Sequence, residues 1–230
     1  MPTKGTETCV SFVYEVSCFE LLTLQEKELI DSTSLLVNYK KGENVCKQGS
    51  FASHIMYIEK GLCKTYLEGP PKDLILTITP RFNLLGLQSL YEGNNKFLYS
   101  VSTYTDTMVR MIDTQVFKQI LRQNPAFSYR ILNILNETTA QAYGRFFSLT
   151  QKQGAGRLAD ILLCLSRRIF KADSFELPLS RSDLSDLTCM STESVIRIMK
   201  DFKDDHIIET NSKNIALIDI PRLERISEKG

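Results

Sequence analysis

Residues 177–218 read LPLSRSDLSDLTCMSTESVIRIMKDFKDDHIIETNSKNIALI, and this stretch decides the fold of the C-terminal third. Ser180-Arg181-Ser182-Asp183 has the form of a capping box, a serine followed three residues later by an acid. Leu184 and Leu187 supply the inward face of one short helix. Thr188-Cys189-Met190 suits a tight turn. Ser191 then caps a second helix, predicted over 192–204, with Val195, Ile198, Met199 and Phe202 turned inward. Two short helices joined by about three residues form a helix-turn-helix, an arrangement that lays its second helix in a DNA major groove. Behind it, Ile207–Thr210 and Ile215–Ile218 flank Asn211-Ser212-Lys213-Asn214, the pattern of a β-hairpin wing. A short strand is expected at Phe175–Leu179, just before the first helix.

Upstream the texture changes twice. Gln151 to Gly156 carries two glycines among polar residues and reads as a hinge, followed by an apolar-periodic helix from Arg157 to Phe170. Asn124-Pro125 places a cap residue before a proline suited to a first helical position. The helix it opens carries Ile131, Ile134, Leu135, Thr138, Ala142 and Phe146 at three- and four-residue steps, a stripe long enough to pair with a partner helix. From about residue 34 to 112, short alternating runs such as Ile55-Met56-Tyr57-Ile58 and Leu74-Ile75-Leu76-Thr77-Ile78 end in turn signals, as in a β-sandwich or barrel. Gly42, Gly49 and Gly61 fit corners that need positive φ. A helix is expected over 19–30, with Thr23 as its cap and Glu26 three residues on.

Composition narrows the function. The 28 basic and 27 acidic residues give a net charge of +1, and residues 150–230 hold about 13 of each sign. A DNA-binding half must therefore gather its positive charge on one face. No apolar run of the ~18 residues needed to span a bilayer is present, nor a signal-peptide core, so a cytoplasmic protein with no membrane partner is expected. The six scattered cysteines fit reduced, mostly buried thiols. With two histidines, no Gly-rich phosphate loop and no nucleophile elbow, the chain lacks the parts of a metal or nucleophilic enzyme.

From about Phe19 to Ile226 the sequence resembles the Crp/Fnr family of bacterial transcription regulators. Gly86 followed by Leu90 and Glu92-Gly93, the helix at Asn124-Pro125, Gly156-Arg157-Leu158-Ala159, and Ser191-Thr192-Glu193-Ser194-Val195-Ile196-Arg197 carry the resemblance. It implies an α+β fold: an N-terminal double-stranded, jelly-roll-like β-roll (1–123), a long central dimerisation helix with its hinge (124–152), and a C-terminal winged helix-turn-helix (153–230). It also implies a homodimer on palindromic double-stranded DNA, contacting RNA polymerase where it activates. Glu193 and Arg197 take the positions that read a G·C pair in the family, with Thr192 and Ser194 beside them. Ser180, Arg181, Lys200 and Lys213 take the positions of phosphate contacts, which position without specifying.

The resemblance weakens in the sensor half. Cyclic-nucleotide-binding members have a Glu after the cassette glycine and an Arg-Ser pair on the phosphate. Here Gly86 is followed by Leu87, Gln88 and Ser89, and a gap-free alignment puts Phe97 and Leu98 at the Arg-Ser positions. The bidentate phosphate grip is gone, so cAMP is not expected as a ligand. The spacing of Cys9 and Cys18 does not suit an iron–sulfur cluster, and His54 and His206 do not suggest haem. No cofactor or metal is expected. A thiol-based redox regulator using Cys9 or Cys18, or an interaction module without DNA binding, are the alternative readings.

Overall fold

The computed structural model describes residues 18–70 and 72–230. Among these, one compact unit comprises 18–68 and 78–139, and a second comprises 69–77 and 140–230.

The first unit opens with α1 (Leu24–Thr33), whose capping box is as expected. The Thr23 hydroxyl accepts from the Glu26 N–H at 3.3 Å, and the Glu26 carboxylate accepts from the Thr23 N–H at 2.8 Å. Eight strands follow: β1 (Leu35–Tyr39), β2 (Asn44–Cys46), β3 (His54–Lys60), β4 (Leu62–Leu67), β5 (Leu74–Pro80), β6 (Leu84–Leu85), β7 (Ser100–Thr103) and β8 (Thr107–Asp113). They form two four-stranded sheets, β1-β8-β3-β6 and β2-β7-β4-β5, which together make the β-roll. The chain passes from one sheet to the other through a single residue, Gly61, at φ +104°. Gly42 and Gly49 also adopt positive φ.

A helix absent from the sequence reading, α2 (Thr114–Gln123), follows β8 directly. Asp113 caps it by accepting from the Gln115 and Val116 N–H groups. The core of this unit gathers Ile55, Tyr57 and Ile112 from the strands with Phe117 and Ile120 of α2. Phe127 stands edge-on to Phe117, with ring centroids 5.6 Å apart.

The long helix α3 (Pro125–Gln151) begins in the first unit and ends in the second. Here the expected dimer stripe needs correction. Ile131 and Ile134 are buried in the β-roll core, with Leu135 packed beside them, so they are spent within the chain. The Thr138 hydroxyl is turned back onto the Ile134 carbonyl at 2.7 Å. Ala142 and Phe146 are exposed, and Phe146 shows 70% of its surface. They share the outward side of the helix with Tyr129, Leu132, Tyr143 and Phe147, all exposed.

In the second unit, α4 (Gly154–Cys164) runs on into a π-helical turn, Leu165–Phe170, and α5 (Arg181–Thr188) and α6 (Thr192–Asp204) form the helix-turn-helix. Strands β9 (Ser174–Glu176), β10 (Ile208–Asn211) and β11 (Asn214–Leu217) make a sheet in the order β10-β11-β9. The wing pairs Ile208 with Leu217 and Asn211 with Asn214. A last helix, α7 (Ile220–Lys229), was not anticipated. Its signals were Asp219 as cap and Pro221 in its first turn. Leu158, Ile161, Leu184, Val195 and Leu223 close the core.

Candidate nucleic-acid interface

Local chemistry fixes the two helices. The Ser180 hydroxyl accepts from the Asp183 N–H at 3.1 Å, and the Asp183 carboxylate accepts from the Ser180 N–H at 2.8 Å. The turn after α5 closes on Cys189, whose φ of +50° is a left-handed conformation uncommon for a residue with a Cβ. Ser185, fully buried and overlooked in the sequence, stitches this turn. Its carbonyl accepts from the Met190 N–H at 3.1 Å, and its hydroxyl donates to the Met190 carbonyl at 2.7 Å. The buried Arg145 guanidinium at the end of α3 donates to the Leu187 carbonyl. Ser191 caps α6 by accepting from the Ser194 N–H at 3.2 Å.

The structure sorts the candidate base-readers. Val195, Met199 and Phe202 are buried. Glu193, Ile196, Arg197 and Lys200 are exposed, at positions that share the opposite face. Thr192 is half-buried, and so is Ser194, whose hydroxyl is engaged by the cap. The Glu193 backbone amide and the Ser191 hydroxyl hold the Glu193 carboxyl below the usual carboxylate range, so it is a charged acceptor at neutral pH. Among the candidate phosphate contacts, Ser180, Arg181 and Lys213 line one recess of about 160 Å³ between the start of α5 and the wing. Lys200 stands apart from them, exposed on α6.

The expected hinge is differently built. The Lys152 ammonium sits 2.8 and 2.9 Å from the two Asp160 oxygens, with little of either side chain exposed. Asp160 also accepts from the Ser148 hydroxyl at 2.8 Å and from the Ser227 hydroxyl. Arg157 caps the end of α3, donating to the Leu149 and Lys152 carbonyls at 3.3 and 3.0 Å. Gly154 and Gly156 lie inside α4. A Cβ on Gly156 would stand 2.8 Å from the Gly230 Cα, and one on Gly154 would collide with the Met190 sulfur. Both glycines serve close packing rather than flexibility.

Around Gly86, where the effector site is expected, the β-roll's own side chains pack closely. Gly86 adopts φ +94° at the head of the turn Leu87–Ser89, and its N–H donates to the Tyr99 hydroxyl at 2.8 Å. That hydroxyl donates in turn to Gln88 Oε1 at 2.9 Å. Leu87 and Phe97 are buried, and the Phe97 ring lies 3.4 Å from where a Gly86 Cβ would be. Ser89 is also buried, its hydroxyl accepting from the Leu98 N–H at 3.4 Å. Leu98 departs from its expected place: 39% of it is exposed, and Tyr99 takes the inward position. Nearby, the Ser100 hydroxyl donates to Glu68 at 2.5 Å and accepts from the Gln48 N–H at 2.8 Å.

Burial pushes the thiols of Cys18, Cys46 and Cys63 up to about 12. A thiol held protonated in this way is a poor nucleophile, which counts against Cys18 as a redox sensor. Cys9, the other candidate, lies outside the described residues. Cys189 is a free, exposed thiol. Among the described residues, no helix is long and apolar enough to cross a membrane.

A β-roll, a long helix and a winged helix-turn-helix are the parts of which DNA-binding transcription regulators are built. Residues 36–124 match the cyclic nucleotide-binding domain family, and residues 156–226 match the Crp-like helix-turn-helix domain. The cAMP-activated global transcriptional regulator CRP of Escherichia coli is 25% identical over 190 residues, covering 78% of this chain and 87% of that protein. The transcriptional activator protein FnrA of Stutzerimonas stutzeri is 23% identical over 188 residues, covering 78% and 75%. The structure of FixK2 from Bradyrhizobium japonicum shares the fold, with a TM-score of 0.77 at 19% identity over 84% of this chain and 97% of that one. The chain belongs to the Crp/Fnr family, whose members are regulators rather than enzymes.

Proposed function

We propose that this chain regulates transcription as a homodimer on a palindromic operator, each half-site containing a G·C pair read by Glu193 and Arg197. The observation that carries this reading is the outer face of α6. There an exposed carboxylate stands one turn from an exposed guanidinium, above a buried face that locks the helix. Arg bidentate to guanine and Glu accepting from the cytosine amine are the fitting contacts. Dimerisation is supported by the exposed apolar side of α3, where Leu132, Tyr143, Phe146 and Phe147 stand in water in a single chain. The protein works in the cytoplasm and, where it activates, touches RNA polymerase.

Selection from random duplex DNA with the ligand-free, full-length protein tests this. A palindrome containing the G·C pair is the expected product, with affinity falling steeply as salt rises. Arg197→Ala is expected to weaken binding to that palindrome by about 10- to 100-fold and to relax the preference at that base pair. A folded, dimeric protein that selects no sequence would refute the reading.

The close packing around Gly86 supports a regulator that does not use cAMP. Tyr99 satisfies the Gly86 amide, and Phe97 fills the space beside it with a ring. An incoming phosphate would have to displace both without an arginine to bind it. Titration calorimetry with cAMP is expected to show no binding at micromolar concentrations; a micromolar or tighter constant would overturn this. We read the cofactor set as empty too, because the buried, protonated thiols of Cys18, Cys46 and Cys63 are poor cluster ligands.

A further inference from the structure

We infer that Lys72 is a positioning residue for DNA binding, its ammonium bracing the turn of the helix-turn-helix through the Ser185 hydroxyl; the inference rests on the DNA-binding reading above. Residues Gly69–Thr77 belong to the same compact unit as the helix-turn-helix. Two cations tie this segment to α5. The buried Arg145 guanidinium donates to the Ile75 carbonyl at 3.3 Å and to the Leu187 carbonyl in the last turn of α5. A positive charge suits that place, because the last carbonyls of a helix lack partners within it and form the negative end of its dipole. The Lys72 ammonium donates to the Ser185 hydroxyl at 3.1 Å and stands 3.8 Å from the Asp186 carboxylate.

Ser185 gives the Lys72 contact a reach beyond α5. Its hydroxyl accepts from Lys72 and donates to the Met190 carbonyl at 2.7 Å, across the turn. A hydroxyl that accepts from a cation is polarised and donates more strongly, so the charge on segment 69–77 tightens the bond that closes the turn. Met190 is followed directly by Ser191, the cap of α6. The seat of α6 against α5 is thus set in part from outside the two helices.

The surroundings favour a brace over a cover or a direct DNA contact. Glu193, Arg197 and Lys200 stay exposed with the segment in place, so it leaves the outer face of α6 open. After the Glu193 backbone amide and the Ser191 hydroxyl, the Lys72 charge also lowers the Glu193 carboxyl, which puts Lys72 within electrostatic reach of the start of α6. The ammonium already faces Asp186, whose side chain is only 23% exposed. A DNA phosphate would have to compete with that partner.

The test uses the full-length protein and the palindrome it selects. Lys72→Met removes the charge and keeps most of the stem. It should weaken binding about two- to threefold in each subunit, the share of a partly exposed ion pair, and so about four- to ninefold for a dimer. The slope of affinity against salt should stay that of the parent, because no phosphate contact is lost. Lys72→Arg should keep most of the affinity, and in an Asp186→Asn background Lys72→Met should cost less than it does alone. In the free protein, Lys72→Met should speed hydrogen exchange at the Met190 amide while the thermal transition stays close to that of the parent. Unaltered affinity in Lys72→Met overturns the inference, and so does a gain, which would make the segment a cover. A loss with a salt slope shallower by about 2 per dimer overturns it too, making Lys72 a phosphate contact. Failure to select any sequence would overturn the DNA-binding reading, while exchange at Met190 still decides whether Lys72 holds the turn.

Discussion

Asp160→Asn should destabilise the C-terminal unit by about 3–5 kcal/mol, the cost of breaking a buried ion pair from one side. The carboxylate accepts from Lys152, Ser148 and Ser227 at once, joining the end of α3 to α4 and α7. An amide in its place offers one acceptor oxygen and two donors, so Lys152 is left with its charge unmatched and almost no water around it. Because the chain has no tryptophan, urea unfolding is best followed by far-ultraviolet circular dichroism. The companion variant Lys152→Met/Asp160→Leu removes both charges and should recover most of the loss. If the single and double variants are equally unstable, the stranded charge is not the cause. If neither is destabilised, the clamp contributes nothing to stability.

Gly61→Ala should cost the β-roll about 2–6 kcal/mol. Two effects add. A φ of +104° is reached readily by glycine and only with strain by alanine, about 1–3 kcal/mol. The new Cβ would also stand 2.8 Å from the Asp106 carbonyl oxygen and from the Thr107 Cα, which are backbone atoms and cannot swing aside. Forced overpacking of this kind costs a further 1–3 kcal/mol or so. The corner has little freedom to adjust, because Leu62 is tied on both sides of its peptide, by its N–H to the Thr105 hydroxyl at 3.0 Å and by its carbonyl to the Tyr104 N–H at 2.7 Å. Thermal melts should show a large fall in Tm. Gly42→Ala is the control: its φ is also positive, but no atom lies within 4 Å of the added methyl, so only the strain should appear.

The parts of this molecule that were legible in sequence are those decided locally. Thr23, Ser180 and Ser191 announce helix starts because each satisfies backbone N–H groups two or three residues away, and all three do so. Gly61 announces a corner because its backbone has little choice. What was misread depends on what lies opposite. The periodicity of α3 marks Ile131 and Phe146 alike, and it cannot tell a helix face covered by the chain's own β-roll from one left bare. Leu98 and Tyr99 differ by one residue, and in the bend that leads into β7 that one residue is the difference between outside and inside. The glycines at 154 and 156 suggested flexibility, whereas distant partners, Met190 and Gly230, explain them. Helix α2 escaped notice because β8 runs into it with no glycine or proline between, leaving Asp113 as its one marker.

The hydroxyl of Tyr99 has one last consequence. In a sensor that awaits a ligand, the cost of ordering the pocket is met when the ligand arrives, so the ligand's concentration sets the output. Here Gly86, Gln88 and Tyr99 are ordered as the chain folds. Where no effector enters this part of the β-roll, copy number sets the output. Where subunits must pair before they bind, the active species grows with the square of the amount synthesised as long as most copies remain single. Doubling expression then raises it about fourfold by mass action, and the rates of synthesis and degradation become the signal.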